Sequence, residues 1–250
     1  MAVAEFHLNA QNRLEKMKSF MAILPEGKTG PFPVFYLLHG LSDDHTAWTR
    51  LSSIERYVAG LPLIVIMPDG ERGFYTDSKS DPKAAFESNI VHDLVPFVDA
   101  TFQTRPDPKS RVVAGLSMGG YGAVKLALKH PELFSAAASH SGALAKAHRP
   151  LSNTDDWQAQ WIPLFGEHPE GGPEDLFALS QRIQKKKRPA LRIDCGTEDF
   201  LIQDNRDFHA HLENIGYAHQ YQEHPGSHEW GYWDQHIQDT LAFFKKHLAL

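Results

Sequence analysis

The sequence predicts an α/β fold: a mostly parallel central sheet with helices on both of its faces. Three observations carry this prediction. Short, continuous apolar runs recur at Val34–Leu38, Leu63–Met67 and Val112–Ala114, and Leu191–Cys195 reads as a further strand. Such runs mark strands covered on both faces. Segments of helical periodicity separate them, and strands alternating with helices imply parallel crossovers. Finally, 250 residues with 42% apolar and 22% charged composition suit one large domain with a substantial core. A single domain over 1–250 is therefore expected.

Taken in order, Arg13 to Leu24 alternates well enough for an early strand, ended by Pro25-Glu26-Gly27. The Val34–Leu38 strand runs into His39-Gly40-Leu41 and a polar loop, and a helix is expected from Thr49 to Ala59 with Gly60 as its stop. Leu63 to Met67 is a buried strand closed by Pro68-Asp69-Gly70, followed by a loop carrying Phe74 and Tyr75. Phe86 to Phe102 is expected as a helix, with Ile90, Leu94, Phe97 and Val98 on one stripe. Phe134–Ser139 reads as a short strand ending in His140-Ser141-Gly142. The pattern then loosens from Ala143 to Gln184, where Trp157, Trp161, Phe165 and Phe177 sit among prolines and glycines. This stretch, 143–184, is expected as a small cap insertion. After Leu191–Cys195 come a helix (Gln203–Ile215), a strand (Ala218–Glu223), a loop (His224–His228) and a final helix (Trp230–Leu248).

Composition excludes several function classes. The formal charge of −6 offers no basic excess to neutralise phosphates, so nucleic acid is not an expected partner. The one basic run, Lys185-Lys186-Lys187-Arg188, reads as a solvated helix end that complements the helix dipole. Cys195 is the only cysteine, so neither an internal disulfide nor a cysteine metal cage can form. No run is long enough to span a bilayer, and no signal peptide is visible. A cytoplasmic protein with no metal and no cofactor is the expectation. Asp43-Asp44-His45 reads as a polar loop, since no further ligands follow at tight spacing.

The chemistry concentrates in Val112-Val113-Ala114-Gly115-Leu116-Ser117-Met118-Gly119-Gly120-Tyr121-Gly122. An apolar strand before, a helical pattern after, and Gly115-x-Ser117-x-Gly119 between them make a nucleophile elbow. The strand-to-helix reversal strains the serine backbone and brings the residues two before and two after it too close to carry a Cβ.

A serine hydroxyl needs a base, and the base needs an orienting acid. Asp199 directly follows the Leu191–Cys195 strand and is favoured as the acid over Glu198 in the same turn and Asp194 within the strand. His228 lies between the last strand and the last helix, where Gly226-Ser227 provides a bend. It is favoured as the base over His224. A tetrahedral intermediate also needs backbone donors at its oxyanion. The amide of Met118, after the nucleophile, and that of Leu41, after the His39-Gly40 strand end, are the candidates, with His39 itself structural.

Five separated motifs, YLLHGLSDDHTAW, the Phe74-Tyr75-Thr76-Asp77 loop, GLSMGGYGA, CGTEDFL and GSHEW, resemble the esterase D superfamily of α/β-hydrolases. That group includes S-formylglutathione hydrolases, feruloyl esterases, mycolyltransferases and small tributyrin-type carboxylesterases, and the similarity runs from Leu14 to Leu248. The resemblance implies an α/β-hydrolase fold, a Ser117–Asp199–His228 triad and a Leu41/Met118 oxyanion hole. It further implies that Trp48, Phe74 and Tyr75 help wall the substrate pocket. Trp157 and Trp161 either line that pocket or pack the cap onto the body. The function expected is a serine carboxylesterase acting on short acyl or aryl esters of small molecules. The alternatives are a thioesterase or acyltransferase using the same acyl-enzyme, and, outside enzymes, an inert scaffold that binds.

Overall fold

The computed structural model describes residues 1–10, 13–248 and 250. Its strands are β1 (Ala2–Asn9), β2 (Met17–Leu24), β3 (Val34–Leu38), β4 (Ile64–Pro68), β5 (Arg111–Leu116), β6 (Ala136–His140), β7 (Ala190–Gly196) and β8 (His219–His224). They form one sheet in the order β1-β2-β4-β3-β5-β6-β7-β8. β1 and β2 run antiparallel to their neighbours, and every other pairing, from β4–β3 to β7–β8, is parallel. The helices are α1 (Ala47–Leu51), α2 (Ile54–Val58), α3 (Phe86–Ser88), α4 (Val95–Thr101), α5 (Met118–Lys129), α6 (Asp156–Ala159), α7 (Ile162–Phe165), α8 (Leu176–Arg182), α9 (Ile202–Asn214) and α10 (Trp230–Leu248).

The period of two along the central strands divides the core. On β3, Val34, Tyr36 and Leu38 join a cluster with residues of α4, α5, α8 and α9. Phe35 and Leu37 point the other way and join Trp48, Ile54, Val58 and the apolar face of α10. Both faces are thereby covered, which is why these strands read as unbroken apolar runs. No helix among the described residues is long and apolar enough to cross a membrane.

Several elements differ from expectation for identifiable reasons. β1 was not anticipated. It pairs along its whole length with β2, from Ala2 opposite Leu24 to Asn9 opposite Met17, yet as an edge strand it is mostly exposed and carries no apolar run. The early strand starts at Met17 rather than Arg13, because Arg13 and Leu14 belong to a turn in which their amides donate to the Ala10 carbonyl. The helix expected from Thr49 to Ala59 is broken into α1 and α2. Ser52 donates its hydroxyl back to the Trp48 carbonyl at 2.5 Å, and Asp234 of α10 accepts from the Ser53 amide at 2.6 Å. The Phe86–Phe102 helix contains a π-helical stretch, Asn89–Leu94, immediately before Pro96. Proline has no amide hydrogen and clashes with the carbonyl four residues back, so the widened turn relieves it. Lys185–Lys187 form a separate exposed 3-10 turn instead of closing a longer helix.

The segment 143–184 contains α6, α7 and α8 and no strand. It packs against α5 and the Phe74 loop. Phe165 meets Tyr121 and Phe74 edge-on at 6.1 and 5.6 Å, and the Tyr121 hydroxyl donates to the Glu174 carbonyl at 2.6 Å.

Candidate active site

β5 delivers the chain to Ser117, whose φ of 52° and ψ of −115° lie in a region that side chains rarely adopt. Such strain costs on the order of 1–3 kcal/mol and persists only where the surroundings enforce it. Here the enforcement is visible. A Cβ on Gly115 would stand 2.5 Å from the Gly119 carbonyl carbon and oxygen, and one on Gly119 would stand 2.6 Å from the Leu38 and His39 carbonyl oxygens. The Ser117 amide donates to the His140 carbonyl at 2.9 Å, and the Ser117 carbonyl accepts from Tyr121 and Ala143, both at 3.1 Å. Between Arg111 and Leu128, Ser117 is the one residue that is not buried.

The turn brings Ser117 to the two residues expected beside it. His228 Nε2 is 3.0 Å from Ser117 Oγ, and His228 Nδ1 is 2.8 Å from Asp199 Oδ2. An ionised carboxylate only accepts, so Nδ1 carries the hydrogen and Nε2 is left with a lone pair facing the hydroxyl. Burial works to raise the Asp199 pKa, but the hydrogen bond from His228 and the Leu201 amide at 2.8 Å more than offset it and hold the carboxyl below its usual range. Phe200 and Trp233 pack on the imidazole with centroids at 4.4 and 4.9 Å.

The competing residues are engaged elsewhere. Asp194 is buried and bonded to His140 Nδ1 at 2.9 Å. The Glu198 carboxylate accepts from the Gly226 amide at 2.5 Å and the Thr197 hydroxyl at 2.8 Å. His224 stacks face to face on His236, centroids 4.1 Å apart and 14° between planes. His224, His236 and Asp239 do bring one potential metal ligand each within 4.8 Å of the others. Stacked imidazoles, however, cannot aim their in-plane lone pairs at one ion, and the Arg192 guanidinium lies 3.6 Å from Asp239.

The Leu41 and Met118 amides both border the space above Ser117, and among the described residues neither donates to a protein acceptor. The loop bearing Leu41 is held closely. A Cβ on Gly40 would stand 2.6 Å from Leu116 Cδ1 and 3.7 Å from Ser117 Cβ. His39 Nδ1 donates to the Gly40 carbonyl at 2.7 Å, and its Nε2 accepts from the Gly70 amide at 2.8 Å. Both nitrogens of this buried ring thus meet backbone groups, with Asp69 Oδ1 a further 3.4 Å from Nε2. Because a trans peptide points its N–H opposite to its C=O, fixing the Gly40 carbonyl also aims the Leu41 amide.

A cavity of about 660 Å³ opens over Ser117, lined by Leu41, Phe74, Met118, Ala143, Trp157 and His228, among others. Phe74 and Trp157 line this cavity, whereas Trp48, Tyr75 and Trp161 do not. Trp48 is buried, its Nε1 donating to the Leu38 carbonyl at 3.0 Å. Tyr75 is buried against Gly70 and Gly122, with its hydroxyl on the His39 carbonyl at 3.1 Å. Trp161 lies behind Phe74, centroids 4.9 Å apart, and packs that ring rather than facing the cavity. In each case an aromatic side chain near the site in sequence supports the wall from behind. Conversely, Lys146, Phe200, Asp204, Trp230 and Trp233 line the cavity and were not singled out. Phe200 follows Asp199 directly, and Trp230 and Trp233 open the helix after His228, so adjacency to the triad candidates was the available signal.

A strained serine on a strand-to-helix turn, hydrogen-bonded to a histidine within a doubly covered parallel sheet, defines a serine hydrolase of the α/β-hydrolase fold. The family model described as "Putative esterase" matches residues 11–244, and the chain belongs to that Esterase family, within the esterase D superfamily. It is similar to an acetyl esterase of Caldicellulosiruptor saccharolyticus, 27% identical over 93% of this chain and 94% of that one. Among solved structures it resembles the substrate-bound fluorophosphonate-binding serine hydrolase FphF of Staphylococcus aureus, at 28% identity and TM-score 0.84 over 97% of this chain and 98% of that one. It also resembles an S-formylglutathione hydrolase, FrmB, of the same organism, at 27% identity and TM-score 0.81 over 97% and 98%. The protein is an enzyme, a carboxylesterase-type serine hydrolase.

Proposed function

We propose that the enzyme hydrolyses short-chain acyl or aryl esters of small molecules through an acyl-enzyme on Ser117. Ser117 Oγ attacks the ester carbonyl carbon while His228 Nε2 takes its proton. Asp199 keeps the ring oriented and stabilises the imidazolium that forms. The carbonyl oxygen becomes an oxyanion and receives the Leu41 and Met118 amides. The carbon–oxygen bond to the alcohol then breaks, and His228 returns the proton to the departing alkoxide. Water, deprotonated by His228, attacks the acyl carbon. The Ser117–acyl bond breaks, the serine recovers a proton, and the carboxylic acid leaves. The observation that carries this reading is the continuous Asp199–His228–Ser117 hydrogen-bond chain beside two amides without protein acceptors.

The preference for small acyl groups is supported by the bounded cavity and by the similarity to an acetyl esterase. A thioester substrate is a second reading, favoured by the likeness to an S-formylglutathione hydrolase. A panel of para-nitrophenyl esters of increasing acyl length, together with S-formylglutathione, separates the two. Highest kcat/KM on acetyl or propionyl ester supports the first reading, and a large excess on the thioester replaces it. Ser117→Ala is expected to lower turnover by a factor on the order of 10⁴ to 10⁶ and to abolish labelling by a fluorophosphonate. A variant that keeps most of its rate removes Ser117 from the mechanism.

A further inference from the structure

Lys146 lies on the cavity wall, half-buried, with its ammonium over the faces of Trp161, Phe74 and Trp157 at 4.8, 5.6 and 6.0 Å from the ring centroids. Cation–π contacts hold the group in place but accept none of its three N–H donors conventionally. Among the described residues Lys146 Nζ makes no hydrogen bond and no ion pair, whereas the other cations buried near the site, Lys125 and Lys129, are each paired with Glu87 and Glu174. A partly desolvated ammonium without a protein acceptor, facing the space a substrate must enter, is free to take an anionic oxygen as its partner. The nearby carboxylates do not. Asp204 Oδ1 faces the Arg149 guanidinium at 3.3 Å, and Glu229 is exposed at the rim.

The geometry points to Lys146 as a carboxylate-binding residue, so that the cavity favours esters carrying a carboxylate on the acyl or the alcohol part. This specifies the substrate class of the esterase reading above and rests on it. A positive charge fixed by three aromatic rings is a receptor for an anionic oxygen, and its low solvation strengthens the contact. Burial also pushes the Lys146 pKa down to about 8, against the opposing pull of Asp204 and Asp155. The ammonium is therefore present below about pH 8 and lost above it. Asp43, Asp204 and Glu229 also line the cavity and, as carboxylates, oppose an anionic ester, so the charged-to-neutral ratio is read as the difference Lys146 makes, while proton transfer at His228 is common to both esters of a pair.

The test compares esters matched in size. On the acyl side, para-nitrophenyl hydrogen adipate is set against its methyl-capped diester. On the alcohol side, para-acetoxybenzoate is set against its methyl ester. For each pair the readout is the ratio of kcat/KM, charged over neutral. Lys146→Met is expected to lower that ratio about ten- to a hundredfold in one arm, which also identifies the side of the carbonyl that carries the anion. Lys146→Arg is expected to keep the ratio within a few-fold of wild type. In wild-type enzyme the ratio should fall as pH rises through about 8, a measurement that needs no variant to fold. Ratios unchanged by Lys146→Met in both arms, or flat across that pH range, overturn the inference. Wild-type enzyme that cleaves none of the four esters overturns the esterase reading and this inference with it.

Discussion

Glu198 and Gly226 bind each other twice: the Gly226 amide donates to Glu198 Oε2 at 2.5 Å, and the Glu198 amide donates to the Gly226 carbonyl at 3.0 Å. A third bond, from the Thr197 amide to the His224 carbonyl at 2.9 Å, lies alongside. The turn that carries Asp199 and the loop that carries His228 are thereby laced together. Gly196 is part of the same contact, since a Cβ there would stand 2.2 Å from the Gly226 carbonyl oxygen.

Removing the side-chain half of this lacing should loosen His228 against Ser117 without touching substrate. Glu198→Ala is expected to lower kcat about ten- to a hundredfold with KM changed less than threefold, because small misplacements of a reacting group are expensive. Glu198→Gln retains an acceptor oxygen and should recover most of the rate. Steady-state kinetics on para-nitrophenyl acetate decide it, and equal loss in both variants would mean that the charge, not the hydrogen bond, matters.

In the proposed mechanism His39 positions the Leu41 amide through the Gly40 carbonyl. His39→Ala leaves the Gly40 carbonyl without its side-chain donor, and kcat is expected to fall by about 10²–10³. Affinity for a trifluoromethyl ketone, which mimics the tetrahedral adduct, should fall in parallel, whereas KM should not. A variant that loses substrate binding and adduct affinity equally would point to general collapse of the loop instead.

Gly119 has no room for a methyl group. Gly119→Ala is expected to destabilise the fold by more than about 2 kcal/mol, because the atoms it meets are backbone carbonyls of β3 and the residue after it. Urea unfolding measures this, and a shift under about 0.5 kcal/mol would contradict the close approach of α5 to that strand end.

Lys125 is fully buried and pairs with Glu87 and Glu174, each at 2.8 Å, while donating to Thr76 Oγ1 at 2.5 Å. Lys125→Met is expected to cost about 3–5 kcal/mol, since two buried carboxylates lose their central cation. Burial alone would raise both carboxyls, but Lys125 and Lys129 hold Glu87 and Glu174 below the ordinary value of 4.5. Depressed carboxyl pKa values contribute stability above the unfolded pKa that is lost as pH falls. Wild-type stability should therefore decline below pH 4.5, and Lys125→Met should show a shallower decline. Unfolding midpoints collected across that range test the sign.

Much of the site was legible because its chemistry is tied to strand ends. Unbroken apolar runs located β3, β4 and β5, and the shorter signal at Leu191–Cys195 located β7; the residues just past β3, β5 and β7, Gly40-Leu41, Ser117 and Asp199, share one edge of the sheet as a consequence of parallel pairing. What stayed hidden depends on direction rather than type. Nothing in the local sequence tells that Phe74 faces the cavity while Tyr75, its neighbour, turns under the oxyanion loop, since both adopt positive φ in a strained turn. β1 lacked the apolar run of a doubly covered strand. Lys146 carried no signal at all, because its surroundings are assembled from Phe74, Trp157 and Trp161, far from it in sequence or separated by the loose stretch after β6.

The segment 143–184 is fastened at its ends by the Ala143 amide on the Ser117 carbonyl and by Glu174 on Lys125 and Lys129, and between them by the buried Trp161, Leu164 and Phe165 and by the Lys79 and Ser80 amides on the Leu164 and Pro163 carbonyls. The stretch 152–160, which includes the exposed Trp157 and no buried residue, can therefore be varied without moving Ser117. Libraries confined to residues 152–160 should retarget the enzyme to new esters at little cost in folding, whereas changes at Trp161, Leu164 or Phe165 would be felt in the core behind the cavity wall.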